Sequence, residues 1–188
     1  MERINDIYIT SDLHLMHNQE FIYKPRGYDS AVEMSEDLVN KWNEVIHEDD
    51  TVYVLGDLIF GDLDIGKVYL SRLKGSIKVI LGNHDGSSKI PIYESLSNIE
   101  ILGYSTILQY KKYHFYLSHY PTITSNKDDQ DSLKTRVINL CGHTHSNDSF
   151  RDFDLGLIFH VECDTNQGYP WLLDNILYKI KEKLSQTD

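Results

Sequence analysis

The chain has 188 residues, 40% hydrophobic and 25% charged, a globular composition that excludes disordered and fibrous classes. Eighteen Lys and Arg against 29 Asp and Glu give a formal net charge of −11. That sign repels polyphosphate backbones and argues against stable nucleic-acid binding. The two cysteines, Cys141 and Cys163, make no CxxC pair, so neither a disulfide framework nor a thiolate metal site is expected. No apolar run approaches the ~18 residues of a membrane span. The opening Met1-Glu2-Arg3-Ile4-Asn5-Asp6 lacks the apolar stretch of a signal peptide, so a cytoplasmic protein without a membrane partner is expected.

Strand and helix patterns alternate along the chain. Ile4–Thr10 is a short apolar, β-prone run that stops at Ser11-Asp12, and it predicts a strand. Ser30-Ala31-Val32-Glu33 has the form of a capping box and opens a helix to about Ile46, with Met34, Leu38, Trp42 and Val45 on one face. Thr51–Leu55 predicts a strand ending at Gly56-Asp57. Asp64–Lys74 predicts a helix closed by Gly75, with Ile65, Val68, Tyr69 and Leu73 inward. Ile77–Leu81 reads as a buried strand ending at Gly82-Asn83-His84-Asp85. Thr106–Tyr110 and Tyr113–Ser118 flank Lys111-Lys112 as a hairpin. Thr124–Arg136 has no apolar periodicity and is expected to be an exposed, mobile loop. Val137–Cys141 and Leu157–Cys163 read as strands, and a final helix from Asp174 to Leu184 carries Ile176, Leu177, Ile180 and Leu184 on one face. With no internal repeat and no linker, a single domain over residues 1–188 is expected.

Nearly every predicted strand ends in metal-ligand residues. Asp12 and His14 follow the first, Asp57 the second, and Asn83, His84 and Asp85 the third. His119 follows Tyr113–Ser118, and His143 and His145 follow Val137–Cys141. In an α/β protein the loops at strand ends converge while the strands hold them rigid. Taken singly each piece is an ordinary turn or a solvated strand face. Together, in order and each after a strand, they describe one site of carboxylate, amide and imidazole donors suited to Mn²⁺, Fe²⁺ or Zn²⁺.

The series Asp12-Leu13-His14, Gly56-Asp57, Gly82-Asn83-His84-Asp85, His119 and Gly142-His143-Thr144-His145 resembles the motifs of the calcineurin-like metallophosphoesterases, from Ile7 to about Asp164. Asp12–His17, Lys24–Tyr28 and Lys41-Trp42-Asn43 further resemble small bacterial and phage phosphoesterases of that superfamily. The resemblance implies an α/β fold, a four-layer α/β/β/α sandwich of two mixed sheets with two divalent metal ions at the strand ends. Mn²⁺ comes first among these, with Fe²⁺, Zn²⁺ or Ni²⁺ as alternatives. By the same resemblance Asp12, His14 and His145 hold one ion, Asn83, His119 and His143 the other, and Asp57 bridges both. A hydroxide between the ions would attack phosphorus in line, with His84 protonating the leaving oxygen and Asp85 orienting or stabilising the His84 ring.

Other residues stay open between two readings. His17 either faces the substrate or is an exposed loop histidine. Arg26 matches an arginine of the similar phosphoesterases, as a clamp on a phosphate oxygen or as a surface arginine. His47, His114 and His160 are expected to be structural; an Asn often stands at the place of His160 in the related small phosphoesterases. The expected activity is hydrolysis of a small or nucleotide-like phosphodiester. The alternatives are a nuclease or phosphomonoesterase of the same superfamily, or a metal-binding scaffold without turnover.

Overall fold

The computed structural model describes residues 5–127 and 132–186. In chain order the elements are β1 (Ile7–Thr10), α1 (Glu20–Tyr23), α2 (Ala31–Val45), β2 (Thr51–Val54), α3 (Leu63–Leu70), β3 (Ser76–Ile80), α4 (Ile90–Glu94), β4 (Ile99–Gly103), β5 (Ser105–Tyr110), β6 (Tyr113–Ser118), β7 (Val137–Cys141), β8 (Ile158–His160), β9 (Trp171–Leu172) and α5 (Leu173–Ser185). The first sheet has the order β4-β3-β2-β1-β9, parallel except for the antiparallel edge strand β9. The second has the order β5-β6-β7-β8, in which β5 and β6 form the antiparallel hairpin and β6, β7 and β8 run parallel. The fold is therefore α/β with two mixed sheets. Among the described residues no helix is long and apolar enough to cross a membrane.

The period-2 pattern of the strands divides the apolar side chains between two cores. In β2, Val52 and Val54 join a cluster with Met34, Leu38 and Trp42 of α2 and with Tyr69 and Leu70 of α3. On the other side of the sheet, Ile9, Leu55 and Ile80 meet Phe115 and Leu117 of β6, Leu140 of β7, Phe159 of β8 and the apolar face of α5. Ser30 caps α2 by accepting from Glu33 N at 3.1 Å, while the Glu33 carboxylate reaches Asp29 N at 2.8 Å, one residue before the cap. The Trp42 indole in this helix donates to Lys74 O, so its polar edge is satisfied inside the core.

The third helix differs from its sequence pattern. It ends at Leu70, and Ile65 and Val68 are exposed, at 44% and 59%. The buried stripe is instead Gly66, Tyr69, Leu70 and Leu73, still at helical spacing, because the bare Gly66 backbone packs directly against Ile59. Two short helices, α1 and α4, and the strands β4 and β9 are additional to the predicted elements. The strand expected at Leu157–Cys163 pairs only over Ile158–His160; beyond it, Glu162 bridges Ser11 and Cys163 N donates to Ser11 O. This stretch leaves the second sheet and ties it to the end of β1. Of the expected loop at Thr124–Arg136, residues 128–131 lie outside the described residues, as does Ile4 of the first predicted strand; the flanks Asn126 and Arg136 form an antiparallel bridge.

Candidate metal centre

The C-terminal ends of β1, β2 and β3 meet those of β6 and β7, and the sequence-predicted donors converge there. Five of the seven expected ligands occupy the left-handed backbone region: Asp12 (φ 56°), His14 (48°), Asp57 (58°), His143 (77°) and His145 (49°). Non-glycine residues rarely adopt this conformation, which costs of order 1–3 kcal/mol each and gathers at functional sites. Sharp turns at the strand ends thus aim these side chains inward at the expense of backbone strain.

Each bridging-capable carboxylate fixes a neighbouring turn with one oxygen and faces the site with the other. Asp12 Oδ2 accepts from His143 N at 2.8 Å, while Oδ1 lies 3.8 Å from both His14 Nε2 and His145 Nε2. Asp57 Oδ1 accepts from His84 N at 3.0 Å, while Oδ2 lies 3.7 Å from His14 Nε2 and 3.6 Å from His119 Nε2. Asn83 Oδ1 is 2.7 Å from His119 Nε2 and 3.0 Å from His143 Nδ1. All seven expected ligands are therefore brought together in two adjoining groups.

These residues fit divalent cations. Asp12 Oδ1 and His14 Nε2 are buried with no hydrogen-bond partner, a costly state for polar atoms unless an ion satisfies them. Two sets, Asp12 with His14 and His145, and Asp12 with Asp57 and His119, each gather their donor atoms within 4.8 Å. The outer contacts aim the rings. His119 Nδ1 is 2.8 Å from Leu55 O, and His145 Nδ1 is 3.4 Å from Asp164 Oδ2, which turns Nε2 of both rings toward the carboxylates. Burial pushes His14 and His143 below the usual histidine range, favouring the neutral form that binds metal.

Asp85 and Arg26 hold the turns. The Asp85 carboxylate accepts from Asp57 N, Gly82 N and the Tyr93 hydroxyl, at 2.7, 2.9 and 2.6 Å. Its oxygens face the β2 and β3 turns and Tyr93, in place of the expected contact with the His84 ring. Arg26 Nε and Nη2 form a paired contact with Asp164; Nη2 also donates to Asp12 O, and Nη1 to Leu13 O and Met34 Sδ. All five N–H groups are engaged inside the protein, which leaves none for the expected phosphate clamp. His17 is buried, stacked on Phe60 with centroids 3.8 Å apart, in the cleft wall. His84 faces the same cleft, its ring 5.7 Å from that of His14 and 5.1 Å from that of Phe60. His114 and His160 lie on strands outside both donor groups, and His47 is exposed beyond α2.

Asp164 and Phe60 are missing from the sequence reading. Asp164 could have been found by extending the strand-end rule to the segment after β8, whereas Phe60 carries no such signal: its place follows from the turn after β2, where Phe60 N donates to Leu15 O.

Comparison with known proteins agrees with this geometry. The family model of the calcineurin-like phosphoesterase superfamily domain matches residues 6–161. The chain is 31% identical over 143 residues to an uncharacterized protein of Methanocaldococcus jannaschii, covering 75% of this chain and 70% of that one. It is 25% identical over 173 residues to the gene 66 protein of Mycobacterium phage L5, covering 76% and 79%. The fold matches that of a protein of unknown function from Aquifex aeolicus with a TM-score of 0.66 at 22% identity, over 92% of this chain and 98% of that one. With donor sets for divalent metal at the family's strand ends, the chain belongs to the calcineurin-like phosphoesterase superfamily and is a hydrolase.

Proposed function

We propose that the protein is a dinuclear metal-dependent phosphodiesterase acting on a small or nucleotide-like substrate. The observation that carries this reading is Asp57 Oδ2, which stands between His14 Nε2 of one donor group and His119 Nε2 of the other. A shared anionic ligand in that position is what two adjacent cations require. Bound there, the cations would supply Lewis acidity at the phosphate oxygens and a water acidic enough to serve as nucleophile. The chain's own residues do the rest. Asp12, His14 and His145 would hold one ion and Asn83, His119 and His143 the other, with Asp57 available to both. His84, its backbone N–H tied to Asp57 and its ring in the cleft, donates a proton to the leaving oxygen. Arg26 and Asp85 act as positioning residues for the turns that carry the ligands. Bound cations, with Mn²⁺ the first candidate, would supply positive charge locally against the net charge of −11.

The test compares an aryl phosphodiester, an aryl phosphomonoester and single-stranded DNA in the presence of Mn²⁺, Fe²⁺, Zn²⁺ or Ni²⁺. The diester is expected to turn over fastest. Preference for DNA would turn the reading to a nuclease, and no turnover with any metal would leave a scaffold. Within the active enzyme, His84→Ala is expected to keep both metal equivalents and to lose ~10²–10⁴ in rate. That loss should be larger for an alkoxide than for a nitrophenolate leaving group. An equal loss on both would remove the proton-donor role.

A further inference from the structure

Beside the metal centre lies a second cavity of about 480 Å³, within the usual range of small-molecule pockets. It shares His145, Phe21 and Ile22 with the cleft, so it begins where one donor group ends. Its charged groups are already paired. Arg26 and Asp164 neutralise each other, and Lys41 Nζ sits 2.7 Å from Asp37 on α2. Pro25, Tyr28, Leu38 and Phe21, the last 70% exposed at the rim, form the apolar part of a lining that is about half polar. Asn147 and Gln167 also line the cavity; both are exposed, and neither carboxamide hydrogen-bonds another of the described residues. A lining of this kind, with its Arg26 and Lys41 charges paired and two exposed carboxamide residues, suits a flat uncharged ring better than a second phosphate.

We propose that this cavity is the subsite for the non-leaving ester group of the substrate, and that it selects an uncharged aromatic ring, from a nucleobase or from a simple aryl group. The ring packs against Phe21 while Asn147 and Gln167 bond to whatever heteroatoms its edge carries. This assignment rests on the phosphodiesterase reading, because it places the scissile phosphate at the adjoining metal donors.

Binding to the metal-free protein tests the subsite independently of turnover. Adenosine, uridine, benzyl alcohol and inorganic phosphate are titrated separately at millimolar concentration, with the side-chain amide NMR signals of Asn147 and Gln167 as the readout. The expected result is saturable shifts with the aromatic compounds, and for Phe21→Ala an affinity roughly 2- to 12-fold lower, the worth of one aromatic contact. Shifts with both nucleosides and benzyl alcohol identify any aromatic ring as the ligand, and shifts with nucleosides alone identify a nucleobase. Shifts with phosphate alone, or with none of the four, overturn the proposal. A parallel series with Mn²⁺ uses nitrophenyl diesters whose second ester group is methyl, phenyl or nucleoside. Lower KM for the ring-bearing esters supports the subsite. Equal KM across the series with brisk turnover refutes the subsite and leaves the phosphodiesterase reading standing, whereas ring binding without any turnover refutes that reading alone.

Discussion

Two buried histidines show how neighbours decide the charge of one residue type. His17 packs on Phe60 and against His14, and burial followed by the His14 and His84 charges pushes it down to about 4. Burial also disfavours the His160 cation, but Glu162 and Asp152, 3.1 and 3.0 Å from its two ring nitrogens, outweigh it and raise the group above 6.5. In the metal-free protein an NMR titration is therefore expected to find His17 neutral down to about pH 4 and His160 still protonated above 6.5. The linkage signs are opposite. The unfolded chain binds more protons at His17, so its contribution is present above 6.5 and is lost as pH falls toward about 4. His160 contributes fully below 6.5, and its share is lost as pH rises through its raised value. A reversed order of the two midpoints would contradict both environments. His160 in turn fixes Glu162, whose Oε1 accepts from Thr144 N and Thr144 Oγ1 between two of the metal-site histidines.

At the scale of the element, the strand-end turns are where the fold and the site meet. A Cβ on Gly82 would overlap Asp57 Oδ1, and one on Gly142 would overlap Ser11 Oγ and Asp12 Oδ2. Gly82→Ala and Gly142→Ala are expected to lower metal affinity roughly 10- to 100-fold, as loss of a positioning contact does. The circular dichroism spectrum should remain that of the folded protein. Calorimetric metal titration checks this, and unchanged affinity would show that the turns relax freely. The turn after α1 works through Arg26, whose side chain and that of Asp164 are only 7% and 9% exposed. Although burial raises the Asp164 carboxyl, the His145 hydrogen bond and the Arg26 charge hold it well below the usual range. Arg26→Ala leaves that carboxylate buried without its cation, and denaturant unfolding is expected to find a loss of ~3–5 kcal/mol. Arg26→Lys should recover only part, because an ammonium cannot span two carbonyls and a carboxylate at once.

For the whole molecule, the two sheets stabilise the site and bound metal is expected to stabilise the sheets in return. Mn²⁺ at 100 times its dissociation constant adds about 2.7 kcal/mol to the folded state, seen as a rise in melting temperature. Asp57→Asn removes charge from both donor groups, so the metal-dependent rise and both metal equivalents should diminish together. Loss of a single equivalent with full retention of the other would place Asp57 in one group only.

The sequence by itself determined the long amphipathic helices α2 and α5, the strands on which the ligands end, and the order of those ligands. These are local: apolar periodicity sets which face is buried, and a strand's end sets which residues follow it. It did not determine that helix α3 buries the Gly66 stripe and exposes Ile65 and Val68, because that choice depends on how closely Ile59 approaches from the turn after β2. Nor did it determine the roles of Arg26 and Asp85. Both are charged residues in turns, and turn chemistry alone leaves their partners open. Only the tertiary structure brings Asp164 to Arg26 across 138 residues and seats Asp85 beneath Asp57 and Tyr93. A donor set can be read along the chain because each ligand follows its own strand, whereas the contacts that aim it form between segments distant in sequence, where only packing sets the distance.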